Sequence, residues 1–299
     1  MKKALPFLFL LFLWISSSHQ LLAQIQIASI HPLAKVKNHY QELQQLDAAP
    51  RTDHAWMDTL AYPPELYTGY TLLFTQVKPH YLSESQVEFL VESVQFPANS
   101  SQQTRAELDW LLELQEKRTD LQSQAVMEIA SIGYWPDANL LPSNPRYREN
   151  LTELFYEGQE ILGPDCTAEN YPMTAKLLQG VMLDMRLMEF AVKYHLLRAR
   201  PYQLDPRIEP LREIRSPSFA SGHTLWAYIQ AYTWGELLPE KRSEFVDLAY
   251  EIALSREIMG VHYPSDEEAA RQLAHRMLLL MWHTADFQRD FAVAKAEWK

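Results

Sequence analysis

Ser216-Pro-Ser-Phe-Ala-Ser-Gly-His-Thr224 runs straight into Leu225-Trp-Ala-Tyr-Ile-Gln-Ala-Tyr-Thr-Trp-Gly-Glu-Leu237, so small, turn-forming residues give way to an apolar stretch of helix length. The pattern predicts an irregular loop that becomes a helix at about His223 and continues to Leu237. A helix start leaves backbone N–H groups without intrahelical partners and carries partial positive charge. Ser221, Gly222 and His223 therefore offer a hydroxyl, two amides and an imidazole to one anion, and Gly222 lets a ligand come close.

Outward from that stretch the chain reads as helix in both directions. Helices are expected at about Thr174–Ala199, Glu240–Met259 and Asp266–Phe287, with an irregular, proline-containing loop over Pro201–Phe219. Their Leu, Met, Ala and Trp positions suit a compact all-α bundle. Further upstream come a helix near Tyr147–Ile161, a Pro- and Asn-rich loop over Pro136–Pro145, and a long amphipathic pattern from Ser100 to about Ala130. Shorter helices near Val36–Leu46, Glu65–Gln76 and Glu84–Val94 are separated by prolines. Positions 24–135 read as a helical scaffold and 136–299 as the chemistry-bearing core, forming one continuous domain. Only 8 Gly and 47% hydrophobic residues in 299 agree with helix and a proper buried core.

Lys2 and Lys3, the apolar run Ala4–Ile15 and the approach Leu21-Leu22-Ala23 have the form of an export signal over 1–23. The run is too short to span a membrane. No Cys follows it to carry a lipid, and no later uncharged stretch reaches spanning length, so no stable membrane insertion and a periplasmic or secreted chain are expected. Loss of the two leader lysines would take the formal charge from −11 to −13, which disfavours nucleic acid and anionic membranes as partners. The single Cys166 permits no internal disulfide and reads as a small buried apolar residue.

Two further clusters carry chemistry. Lys193 and Arg200 lie seven residues apart near the end of a long helix, which brings them to almost the same face, two turns apart. Pro201 leaves Arg200 at the terminus. The alternative is a pair of solvated surface cations, but segment 193–215 holds six Lys or Arg against three acids in an acidic chain, which favours an anion site. Then come Ser255-Arg256, His262 and Asp266. Gly260 is expected to end one helix, and Ser265-x-x-Glu268 to cap the next, leaving His262 on the connector. Asp266 can accept from its Nδ1–H, fixing the tautomer and freeing Nε2 as nucleophile or base; alone, Asp266 reads equally as a favourable acid at a helix start. At roughly 5% usage per residue, this four-residue cluster should arise by chance in only about one chain in five hundred.

Lys193-x6-Arg200-Pro201, Ser221-Gly222-His223 and Ser255-Arg256-x5-His262-x3-Asp266 together resemble the three-part signature of the type 2 phosphatidic acid phosphatase (PAP2) superfamily. Within it, the sequence around the motifs is most similar to the class A bacterial non-specific acid phosphatases. Strong similarity covers about Leu183–Ala274. One departure is Ala220, where the family usually has Pro before Ser-Gly-His, and a looser loop is the expected effect. The resemblance implies an all-α bundle of the PAP2, acid phosphatase and vanadium haloperoxidase type. It implies that Lys193, Arg200 and Arg256 clamp the phosphoryl oxygens with help from Ser221 and the Gly222 and His223 amides. It further implies that His262 forms a phosphohistidine oriented by Asp266, and that His223 acts as acid and then base, with an acidic-to-neutral optimum and no metal. The implied partner is a small phosphate monoester; homo-oligomers are common among such relatives. A vanadate-holding haloperoxidase, a lipid or isoprenoid phosphate phosphatase and a non-catalytic phosphate binder stay open as alternatives, with vanadate an inhibitor in the leading reading and a cofactor in the first alternative.

Overall fold

The computed structural model describes residues 39–132, 143 and 145–299; the expected leader, the first residues of the arm helix and most of the Pro136–Pro145 loop lie outside them. Among the described residues there is no strand, only an isolated antiparallel bridge between Ala61 and Arg198. Ten α-helices of seven residues or more among the described residues build the fold: α1 Glu84–Glu92, α2 Gln102–Lys117, α3 Asp120–Ser131, α4 Tyr147–Leu154, α5 Tyr156–Leu162, α6 Pro172–Leu196, α7 Gly222–Leu237, α8 Arg242–Ile258, α9 Pro264–Met281 and α10 Ala285–Ala296.

The apolar stretch that opened the sequence reading is the central helix. On α7, Leu225, Trp226, Ile229 and Trp234 are all buried, as are Tyr228 and Ala231 on other faces. A helix apolar all round belongs inside, and α6, α8 and α9 enclose it. Leu177, Val181, Met185 and Met188 of α6 and Leu273, Ala274 and Met277 of α9 join the same core. The scaffold half packs on the far side of α8: Leu108, Leu111 and Val126 of α2 and α3 form a second cluster with Leu254, Ile258 and Tyr263. The chain terminus closes back on the start of α6, where the Glu297 carboxylate accepts from the Met173 and Thr174 amides at 2.9 and 2.8 Å, and Trp298 stacks on Tyr171 at 3.9 Å.

Several boundaries differ from the sequence reading, each for a local reason. The expected long helix over 100–130 breaks at Arg118, which is extended, because Thr119 and Gln122 form a reciprocal capping box that starts α3. The 147–161 helix is interrupted at Phe155, whose backbone leaves helical values. Between 65 and 76 the chain forms short helices as expected, Pro64–Leu66, Gly69–Leu73 and Phe74–Gln76, broken where Tyr67 and Thr68 are extended. Helix α6 stops at Leu196 rather than Ala199, since Leu197 takes a left-handed conformation with φ 54°. Helix α9 opens at Pro264, and the acid that accepts from the Tyr263 amide is Asp266 at 3.1 Å, so the expected Ser265–Glu268 cap does not form. A turn at His283 and Thr284 then separates α9 from α10, which the sequence reading merged in part and otherwise missed.

Candidate active site

Three connectors meet at one end of α7: the stretch after α6, the loop before α7, and the turn between α8 and α9. Lys193, in the last turn of α6, sends its ammonium to the Pro217 and Ser218 carbonyls at 2.8 and 3.0 Å, which ties the loop to that helix. Arg200 does not share a helix with Lys193 as expected; the left-handed Leu197 ends α6 first. It instead sits in extended backbone at the foot of the short turn Pro201–Leu204. From there its Nε donates to the Ser216 carbonyl at 2.9 Å, and its Nη1 reaches the Val261 carbonyl at 2.8 Å and His262 Nε2 at 2.9 Å. Arg256, in the last turn of α8, donates to Ser255 Oγ at 3.0 Å and to the Val126 carbonyl of α3 at 2.9 Å.

His262 lies on the α8–α9 turn, where Gly260 takes φ +72°. Its Nδ1 stands 3.0 Å from Asp266 Oδ2. A guanidinium can only donate, so the Arg200 contact makes Nε2 the acceptor and leaves the proton on Nδ1, pointing to Asp266. Asp266 is itself held by the Arg198 guanidinium at 2.7 Å and the Ser218 hydroxyl at 2.5 Å. Arg198 extends the chain of contacts to Glu107 of α2 at 3.4 Å, and Ser265 donates to the same carboxylate at 2.8 Å. All four of His262, Asp266, Arg198 and Glu107 are buried.

Lys193, Arg200, Gly222, His223, Arg256 and His262 line one cavity of about 80 Å³. Ser221 does not line it: its hydroxyl donates to Thr224 Oγ1 at 3.1 Å, and Thr224 donates to the Glu267 carboxylate. The expected Ser221 hydroxyl ligand is therefore turned into the protein, and the Ser221 amide donates to the Asp266 carbonyl at 3.3 Å. Arg212, Ser216 and Glu189 also face the cavity and were not singled out from the sequence; Glu189 is engaged by Arg186 at 2.5 Å. Nor were Arg198 and Ser218, although Arg198 stands in the cation-rich segment that marked the region.

The electrostatics follow from packing cations together out of water. Burial, then Arg200, brings the Lys193 ammonium down to about 7. Burial also lowers Arg200. Burial, then Arg256 and His262, keeps the His223 imidazole well below its ordinary value, and burial with Arg200 does the same to His262 against the pull of Asp266. Burial would raise the Asp266 carboxyl, but Arg198 and the bonds from His262 and Ser218 outweigh it and hold it well below the usual carboxylate range. Such a cavity is complementary to a small multivalent anion, which would offset the mutual repulsion of its cations. Among the described residues no cluster of three or more His, Cys, Asp or Glu could hold a metal ion, and no helix is long and apolar enough to cross a membrane.

Residues 174–290, which include every cavity-lining position named above, match the PAP2 superfamily. Among curated proteins, a non-specific acid phosphatase of Providencia stuartii is 28% identical over 144 residues, 46% of this chain and 58% of that protein. One of Salmonella typhi is 25% identical over 155 residues, 50% of this chain and 61% of that protein. An acid phosphatase of Zymomonas mobilis is 30% identical over 80 residues, 27% and 30% of the two chains. The chain thus spans about three fifths of the length of the first two relatives. Among solved structures, a bacterial vanadium-dependent iodoperoxidase aligns with TM-score 0.47 and 17% identity over 76% of this chain and 63% of that one. A transmembrane PAP2-type phosphatidylglycerolphosphate phosphatase from Bacillus subtilis aligns with TM-score 0.41 and 18% identity over 72% and 95%.

Proposed function

From the PAP2 superfamily domain that the chain carries over residues 174–290, we propose that it is an exported, metal-independent acid phosphatase that hydrolyses phosphate monoesters through a phosphohistidine. The observation that supports this most is the pairing of an acceptor Nε2 on His262 with a cavity that Lys193, Arg200, Arg212 and Arg256 also line.

In this reading the ester phosphate enters the cavity, and Lys193, Arg200 and Arg256 take its non-bridging oxygens with the amides at the head of α7. Arg200 exchanges its bond to His262 for one to the phosphate, which uncovers Nε2. That nitrogen attacks phosphorus while Asp266 accepts from Nδ1–H and stabilises the cationic ring. His223 gives a proton to the departing alkoxide, then takes one from the water that cleaves the phosphohistidine, so phosphate is released and both histidines return to their starting state. Negative charge grows on the equatorial oxygens in the transition state, and fixed guanidinium and ammonium groups in a dry cavity stabilise it without a metal. Burial and Arg256 keep His223 deprotonated at neutral pH in the free site, so kcat/KM rises as the pH falls from 8 towards 5.

The direct assay is p-nitrophenyl phosphate hydrolysis from pH 4 to 8 with EDTA present. EDTA-resistant turnover, strongest on the acid side, is the expected result. No turnover at any pH would overturn the reading for simple monoesters. Bromide or iodide oxidation by the vanadate-loaded protein would favour the haloperoxidase alternative instead.

A further inference from the structure

Beside the cation-lined cavity lies a second one of about 480 Å³. The chain between them is a single thickness of backbone. Arg212, Ile214 and Ser216 face the first cavity while Glu213 and Arg215 face the second, the alternation expected of an extended segment, and Ile214 touches both. Two tyrosines pin that partition: the Tyr62 and Tyr202 hydroxyls approach the Ile214 carbonyl at 3.5 and 3.4 Å, and the Ile214 amide donates to Tyr202 Oη at 3.1 Å.

The opposite wall comes from the scaffold half, outside residues 174–290. Tyr62 is fastened to the core by its amide, which donates to the Leu197 carbonyl at 2.7 Å. Tyr67 lies nearly parallel to it with ring centroids 6.0 Å apart, and Tyr194 braces Tyr67 edge-on at 5.0 Å. The cavity is therefore lined by the half-buried Tyr67 and Tyr202 and an edge of the buried Tyr62, with Leu66 and Ile214 as apolar walls and Glu65, Glu213 and Arg215 as charged ones. Its size is that of a small-molecule site, and tyrosine rings held by their neighbours offer faces and edges against which a flat π-system can pack.

We propose that this tyrosine-lined cavity binds the organic part of the substrate and selects a planar aromatic ring, carried on a phosphate that occupies the neighbouring cavity. The proposal deepens the phosphomonoesterase reading and rests on it for the word substrate. It gives residues 62–68 of the scaffold half a role in specificity.

Two measurements on the full chain separate the two claims. Calorimetry compares propylphosphonate with 3-phenylpropylphosphonate, which cannot be hydrolysed, and turnover is followed on ethyl phosphate, which has no ring. The phenyl compound should bind at least tenfold more tightly, and Tyr67→Ala should bring the two within about twofold. Equal affinities in the unsubstituted protein, or a preference that survives Tyr67→Ala, would overturn the aromatic subsite even if ethyl phosphate is hydrolysed. Selective 3-phenylpropylphosphonate binding without ethyl phosphate turnover would instead overturn the enzymatic reading and leave the ring site standing. Should Tyr67→Ala fail to fold, Leu66→Ala on the same wall must lower the preference, and no change there would count against the proposal.

Discussion

Arg198→Met should destabilise the protein strongly, and more so at pH 8 than at pH 5. Arg198 is fully buried, with Asp266 Oδ1 at 2.7 Å and Glu107 at 3.4 Å, and its guanidinium lies 3.8 Å from the centroid of the Tyr263 ring. Methionine keeps the apolar stem and removes the charge. At an effective dielectric of about 20, a pair 4 Å apart is worth about 4 kcal/mol, and breaking a buried pair from one side costs about 3–5 kcal/mol because the remaining charge is stranded. Two carboxylates would be stranded here, but Asp266 can escape by taking up a proton. Its folded pKa, now held below the unfolded value by Arg198, would move above it. The sign then reverses: the wild-type group contributes stability above about pH 4, whereas the variant loses stability as the pH rises through the raised value. Urea unfolding at pH 5 and pH 8 should therefore give a loss of about 3–5 kcal/mol at pH 8 and a smaller one at pH 5. A loss below about 1 kcal/mol, or one independent of pH, would refute the claim that Arg198 carries the charge balance behind His262.

Glu257 accepts from Trp110 Nε1 at 2.7 Å and from the Tyr40 hydroxyl, yet burial pushes its carboxyl up to about 8. A raised folded pKa gives stability that is complete below about pH 4.3 and lost as the pH rises through 8; Glu257→Gln should therefore gain on the wild type in Tm between pH 5 and 8, and a constant difference would contradict this. Sulfate stays a dianion over pH 6–8, so its affinity reports the cavity: with Lys193 at about 7, binding should weaken by up to about tenfold across that range, and Lys193→Met should flatten the profile. Gly180 of α6 packs against the 80–81 segment so closely that an added Cβ would lie 2.5 Å from atoms of both His80 and Tyr81. Gly180→Ala should cost about 1–3 kcal/mol by overpacking, read from denaturant unfolding, and a neutral outcome would show that the segment yields freely.

The sequence disclosed the parts of this arrangement that depend on local pattern. The continuous apolar character of Leu225 to Leu237 marks the central helix, and the spacing of Lys193, Arg200, His223, Arg256 and His262 marks residues that meet at one cavity, with Asp266 behind His262. What the sequence withheld depends on contacts far apart along the chain. Arg198 reads as one more cation until Glu107, 91 residues away, is seen beside it. Ser221 sits in the motif, but Thr224 and Glu267 turn its hydroxyl inward, a choice made by packing. Helix ends slipped where short-range chemistry competes with periodicity, as at Thr119, Leu197 and Pro264. Tyr62 and Tyr67 lie in a proline-broken stretch with no period to read, so the second cavity had no signal.

The most direct test is to trap the phosphorylated protein during turnover of p-nitrophenyl phosphate and map the label. Phosphate on His262, stable in base and lost in acid, with neither label nor turnover in His262→Ala, is the predicted result. Turnover that persists in His262→Ala, or a label on another residue, would contradict the assignment of His262 as the nucleophile.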